Sequence, residues 1–552
     1  MNILTAFERF AVTQGNKTAA ADENHSYTFS QLRDAAARLG AAVRERRPAG
    51  GPVGVLVRRG ADTAALFFAA VYGGCFYVPL DPDMPAHKLG TILSDAGIDL
   101  VLGAAGDEGV LAAAGFAGTL LTLADAAEAP AALPELPEDA PLYMVYTSGS
   151  TGRPKGVLKS HGAVASYIAA FRDRFGLTGE EIIGNQNPFF FDAAAKDLYY
   201  MACLGATLEV IPAEKFIFPV RLMEYLNQRR ISYICWVPTA LAIVTQLNTF
   251  RQIKPETLRN VLFVGEPFPI KQLHKWLSSL PELRYVNLYG SSELAGVCCA
   301  YEIPKGELPE ALPMGKPLPN CRVYLRGEEG FITEPGVLGE VWIASPALAL
   351  RYWNDPEKTA AVFTEEALPD GSRARVLRSG DLAQYDEAGN LVFVSRKDFQ
   401  IKHMGRRIEL GEIETVADSL PEIARCCCLY NDAKKRIELF CELAGGQGTG
   451  NGEQGTGARG QGTGARGQGT GNGEQGTEYG SQGTGNGSQG TGNREPGTGD
   501  GEAETRLDGK AIQSLLRPLL SDYMLPAKVH VLDKLPLNPN GKLHRQAMKE
   551  MM

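Results

Sequence analysis

The sequence predicts an α/β layered fold with more than one domain, and three observations carry that expectation. The chain has 552 residues, more than a single hydrophobic core usually organises. Short apolar runs at 53–57, 261–264, 285–288, 341–344 and 391–394 have the length of buried strands. Between such runs lie stretches of helical spacing, the first being Leu32, Ala36, Leu39 and Val43, with Ser30 as the expected N-cap. Strands alternating with helices give layered sheets covered by helices.

Composition narrows the function classes. Apolar residues are 44% and charged residues 22% of the chain, ordinary for a globular protein. A net charge of -9 spread over this length argues against a nucleic-acid binder. Residues 63–80 are uncharged and approach membrane-spanning length, but Gly73, Gly74 and Pro79 interrupt them. They read as a buried helix, a turn and a strand. The first ten residues have no apolar signal core. The ten cysteines include the run Cys426, Cys427, Cys428 and form no zinc-type pair, which fits reduced thiols and a cytoplasmic location.

Residues 445–502 break the layered pattern. Gln-Gly-Thr recurs every seven residues from Gln447 to Gln489. Without apolar seam positions this is not a coiled coil. A tract with almost no apolar side chains cannot bury a core, so it is expected as a flexible insert. Ile512, Leu515, Leu516 and Leu519 then resume helical spacing, which places the insert inside a domain.

The chemistry starts at residues 146–157, YTSGSTGRPKGV. Gly149, Gly152 and Gly156 let backbone N–H groups approach an anion. Thr147, Ser148, Ser150 and Thr151 add hydroxyls, and Lys155 adds a cation suited to phosphate. A P-loop ends in Gly-Lys-Ser/Thr and runs into a helix. Here Pro154 precedes Lys155 and Gly156 follows it, and proline pushes Arg153 away from helical geometry. The segment reads as a different triphosphate cradle.

These residues resemble the signature of the adenylate-forming superfamily, which includes acyl-CoA synthetases, luciferases and nonribosomal peptide synthetase adenylation domains. The resemblance extends, in the family's order, through YVPLDP at 77–82, Phe191-Asp192, NLYGSSE at 287–293, RSGDL at 378–382, residues 396–414 and NGKLHR at 540–545. It implies a large ATP- and substrate-binding N-terminal domain, residues 1–396. A small mobile α+β lid follows at residues 397–552, interrupted by the repeat tract.

The resemblance also implies roles. Glu293 would hold Mg²⁺ through oxygen. Tyr289 would stack on adenine, with Gly290 and Ser292 in the same turn. Asp381 would accept from the ribose hydroxyls and Arg396 would donate to the ribose. Asp398 would be the hinge about which the lid swings between half-reactions, and Gly405 would line the thiol tunnel. Lys542 would bridge the substrate carboxylate and the nucleotide, offsetting repulsion between two anions. Ser291 and Ser379 depart mildly from the family pattern.

Asp192 stands where amino-acid-activating members pair the substrate α-ammonium, and Phe191 would wall the carboxylate site. Alignment by motif gives a side-chain pocket of Ala193, Lys196, Cys235, Leu262, Val264, Leu288, Gly296 and Val297. A buried Lys196 needs a partner: Asp197, or an acidic substrate side chain. Residues 189–200 and 262–269 also resemble D-alanine–carrier-protein ligases, which typically carry cysteine in place of Val264.

The function so implied is ATP-dependent formation of an aminoacyl adenylate, then transfer to a thiol. No carrier segment follows Lys542, so the thiol is expected on a separate phosphopantetheinyl carrier protein or CoA. Ligation of a non-amino acid to CoA is the alternative, and it differs at Asp192. A non-enzymatic binding role for the Gly-rich tract is the third. No nucleic-acid or membrane partner is expected.

Overall fold

The computed structural model describes residues 2–148, 154–398, 400–444, 507–538 and 543–552. Gly149, Ser150, Thr151, Gly152, Lys542 and the repeat tract lie outside the described residues.

The α/β layering is present. A nine-stranded sheet runs from the edge pair Thr18–Ala21 and Ser26–Thr28 through parallel strands Thr207–Val210, Ile182–Asn185, Tyr233–Trp236, Asn260–Val264 and Arg284–Gly290. A seven-stranded sheet holds Phe76–Leu80 and Pro52–Leu56 beside the antiparallel pair Pro141–Thr147 and Lys155–Ser160. One apolar core joins the two sheets through the helices Phe29–Arg46, Asp62–Tyr72, His161–Phe175 and Asp192–Leu204. A six-stranded antiparallel sheet carries Arg373–Tyr385 and its partner Leu391–Arg396.

Local chemistry explains the boundaries. The uncharged stretch is the buried helix Asp62–Tyr72, a turn with Gly74 at φ +78°, and the buried strand Phe76–Leu80. No helix among the described residues is long and apolar enough to cross a membrane. The helix expected to be capped by Ser30 spans Phe29–Arg46, so its cap lies two residues earlier. Thr28 is its cap, because Thr28 and Gln31 satisfy each other's backbone N–H groups reciprocally. Ser30, inside the first turn, donates instead to the Ala11 carbonyl at 3.3 Å.

The small C-terminal domain has a core of its own, in which Ile408, Leu410, Ile413, Cys428, Leu439, Ile512 and Leu516 meet. Its strand Arg436–Leu443 pairs in parallel with Lys528–Leu532, so the chain on either side of the repeat tract joins one sheet. The expected C-terminal helix spans Gly509–Leu516; Leu519 lies beyond its end but packs on the same cluster. All ten cysteines are buried and free.

Candidate active site

Three strand ends and one hairpin of the small domain converge on a single cavity. The pair Pro141–Thr147 and Lys155–Ser160 sets Thr147 opposite Lys155, with the phosphate loop between them. The hairpin Gln400–His403 and Arg406–Glu409 lies across this end. Lys155 Nζ is 3.1 Å from Glu409 Oε1. Ser148 Oγ donates to the Arg407 carbonyl at 3.1 Å and accepts from the Glu409 N–H at 3.2 Å. Burial pushes the Lys155 ammonium down, and Glu409 opposes that.

On the side expected to take the nucleotide, Asp381 accepts from the Tyr289 hydroxyl and from Arg396. Arg396 also holds Asp398 through two bonds, at 2.7 and 2.9 Å. Gly380, at φ +73°, makes the turn that presents Asp381. The Lys402 ammonium lies 5.3 Å from the Tyr289 ring centroid, and burial pushes its pKa down. Cation–π attraction holds this face.

Glu293 is buried between domains. Arg407 Nη1 donates to both of its oxygens at 2.8 Å, and the Tyr352 hydroxyl donates to Oε1 at 2.7 Å. Burial alone would raise the carboxyl, but Arg407 and Tyr352 hold it well below the usual carboxylate range. Glu293 has the oxygen chemistry that Mg²⁺ takes. With Arg407 on both oxygens, a cation and this guanidinium exclude one another.

On the acid side, Phe191, Asp192, Ala193, Lys196, Val264, Gly296 and Val297 line the cavity together with Thr147, Ser148, Gly290, Ser292, Asp381, Arg396 and Gly405. Cys235, Leu262 and Leu288 are buried and do not line it. For two of them depth along the strand is the reason: Val264 ends its strand at the cavity, and Leu262, on the same face, sits one step deeper, in register with Cys235, whereas Leu288 is in register with Val264. Gly296 packs so close to Tyr167 that a Cβ would sit 2.3 Å from its ring. Lys196 is satisfied internally, donating to the Ala193 carbonyl at 2.7 Å and pairing with Asp197 at 3.1 Å. Burial lowers its pKa, but Asp197 overrides this and keeps it raised. The Asp197 partner is therefore the one found.

The Arg406 guanidinium lies between Phe191 and Tyr523, 4.6 and 4.1 Å from their ring centroids. Gly405, at φ +74°, donates its N–H to Glu266 Oε2 at 3.1 Å, and a Cβ there would meet Val237 at 2.2 Å. Only glycine passes at this point.

Sequence reasoning overlooked Arg407, Glu409 and Glu266, which join the domains, and it overlooked Lys159. Lys159 lies on the strand Lys155–Ser160, is 0% exposed, and pairs with Asp192 Oδ1. The Tyr143 hydroxyl donates to the same oxygen at 3.0 Å. Burial pushes the Asp192 carboxyl up, and Lys159 and Tyr143 pull it back. The signal was a lysine inside the apolar strand GVLKS, where an inward cation needs a counter-ion.

The chain matches the AMP-binding enzyme family over residues 7–353. It is 30% identical over 418 residues to tyrocidine synthase 2 of Brevibacillus parabrevis, covering 74% of this chain but 11% of that protein. It is 26% identical over 554 residues to a D-alanine–D-alanyl carrier protein ligase of Lacticaseibacillus rhamnosus, covering 99% and 98% of the two chains. Several of the curated synthases it matches are far longer, and the chain spans about 11% to 40% of the first two. Among solved structures, it superposes on PA1221, a nonribosomal peptide synthetase protein containing adenylation and carrier domains, with a TM-score of 0.78 at 21% identity, covering 100% of this chain and 84% of that one. The family match spans more than half of the sequence and contains the phosphate loop, Asp192 and Glu293, so this chain belongs to the AMP-binding enzyme family.

Proposed function

We propose that the protein activates the carboxylate of an amino acid with ATP and passes the acyl group to a thiol. The observation that carries this reading is the convergence of Asp192 and of Asp381 with Arg396 on one cavity, which is also lined by Arg407 of the hairpin that holds Lys155 and Glu293. The carboxylate oxygen attacks the α-phosphorus of ATP, the bond to pyrophosphate breaks, and an acyl adenylate remains. A thiol sulfur then attacks the carbonyl carbon and AMP leaves.

Lys155 and the phosphate loop hold the triphosphate, and Asp381 with Arg396 orients the ribose. Once Arg407 withdraws, Glu293 would be free to hold Mg²⁺, whose charge would offset that of the phosphates. The hairpin bonded to Ser148 and Lys155, with Gly405 against Val237, supports assigning this arrangement to thiol transfer. Adenylation then requires the small domain to turn about Asp398, removing Arg407 and bringing Lys542 to the reacting carboxylate. The thiol belongs to a phosphopantetheinyl carrier protein or to CoA. The near full-length likeness to a carrier-protein ligase favours the carrier.

ATP–pyrophosphate exchange with a panel of amino acids tests the reading. One or a few amino acids are expected to support exchange. Exchange with fatty or aryl acids alone would replace it with acyl-CoA ligation of a non-amino acid.

A further inference from the structure

Asp192 is not a free carboxylate. Its counter-ion comes from within the protein. Lys159 stands opposite Tyr143 in the antiparallel pair, on the same strand face as Lys155, and its ammonium lies 5.0 Å from the Tyr143 ring centroid. Lys159 and Tyr143 both engage Oδ1. Among the described residues no hydrogen bond reaches Oδ2, and the Asp192 side chain, 15% exposed, opens on the cavity. The other nearby carboxylate, Glu293, is taken by Arg407 and Tyr352.

The pair has no net charge, wherever its proton resides. Lys159 cannot turn to water, since it is fully buried, and leaving it unpaired is costly. It therefore stays on Asp192 when substrate binds. An arriving ammonium meets a pair with no net charge, whose Oδ1 is already taken by Lys159 and Tyr143. A neutral α-substituent that donates one hydrogen bond to Oδ2 loses less hydration on entering.

We propose that Lys159 is a specificity-determining residue: by neutralising Asp192 from behind, it relaxes the demand for an α-ammonium, so that the site activates 2-hydroxy acids beside amino acids. This rests on the amino-acid reading of the same site.

The test measures kcat/KM in pyrophosphate exchange for each amino acid and its 2-hydroxy counterpart, with the native enzyme and with Lys159→Met, which keeps length and removes charge. The native enzyme is expected to hold the amino-to-hydroxy ratio within about tenfold. Lys159→Met is expected to raise that ratio at least tenfold, because Asp192 then takes the substrate ammonium as its counter-ion, while the KM for ATP stays put. A native ratio above about a hundredfold overturns the proposal, as does an unchanged ratio in Lys159→Met. If Lys159→Met does not fold, the native ratio decides alone. Exchange with neither class but with a fatty or aryl acid refutes the amino-acid reading itself, which is a distinct result.

Discussion

Two carboxylates lie at or behind the same cavity, Asp192 lining it and Glu293 held by Arg407, which lines it, and each is paired with a basic side chain. Glu293 is held by Arg407, which belongs to the small domain, and Asp192 is held by Lys159, which belongs to the sheet beneath it. A partner on another domain can leave when that domain turns. A partner on the adjoining strand cannot. On the proposed function the first carboxylate would be released when the small domain turns, whereas the second keeps its partner within the same domain. A retained partner limits what Asp192 can offer a substrate, whereas a removable one would make Glu293 available only part of the time.

The largest expected effect comes from the cation that must arrive. Lys542→Ala should lower pyrophosphate exchange by about 10²–10³-fold, the usual loss when one charge-stabilising group is removed from a reacting centre. Binding of ATP, measured by calorimetry, should persist. Near-normal exchange would remove Lys542 from the reaction.

The departing cation gives the next effect. Arg407→Ala frees Glu293, so exchange should hold within about threefold. Thioester formation should fall by about tenfold or more, since charge-assisted hydrogen bonds contribute about 1.5–3 kcal/mol. Equal losses in both half-reactions would mean that Arg407 serves both, and the contrast between the two carboxylates would collapse.

The rigid side can be probed by pH. His161 follows the strand that carries Lys159; it is fully buried and accepts from the Ile3 N–H at 3.2 Å. Burial pushes its pKa down from 6.5 to about 4. Between these values the unfolded chain binds a proton that the folded chain does not. Stability is thus fully present above about pH 6.5 and declines as pH falls toward about 4, by up to about 1.4 kcal/mol per unit from this group. Melting temperatures at pH 7 and 5 should show the decline, and His161→Gln should make it shallower. An unchanged slope would assign the acid sensitivity to other groups.

The smallest effect is expected from the repeat tract. Deleting residues 447–500 should change stability by less than about 1 kcal/mol, since loop length enters closure entropy only logarithmically, and exchange should be unaltered. A large drop in melting temperature would show that the tract supports the small domain.

Much of this was legible because it is local. The strand runs and the buried helix–turn–strand at 63–80 are written in contiguous residues whose spacing dictates one geometry. Thr28 as cap was equally local: the Thr-x-x-Gln pattern was there, and Ser30 drew attention from it. The neutral Lys196–Asp197 pair is formed by adjacent residues, and the sequence offered that answer among its alternatives.

The sequence by itself determined the layered fold and the family, because each follows from short-range periodicity or an ordered run of motifs. Only the tertiary structure decided which charges meet. Lys159 and Asp192 are 33 residues apart, and Glu293 and Arg407 are 114 apart. No local rule links such pairs: a buried charge requires a partner, but the packing of strand, helix and domain chooses which one.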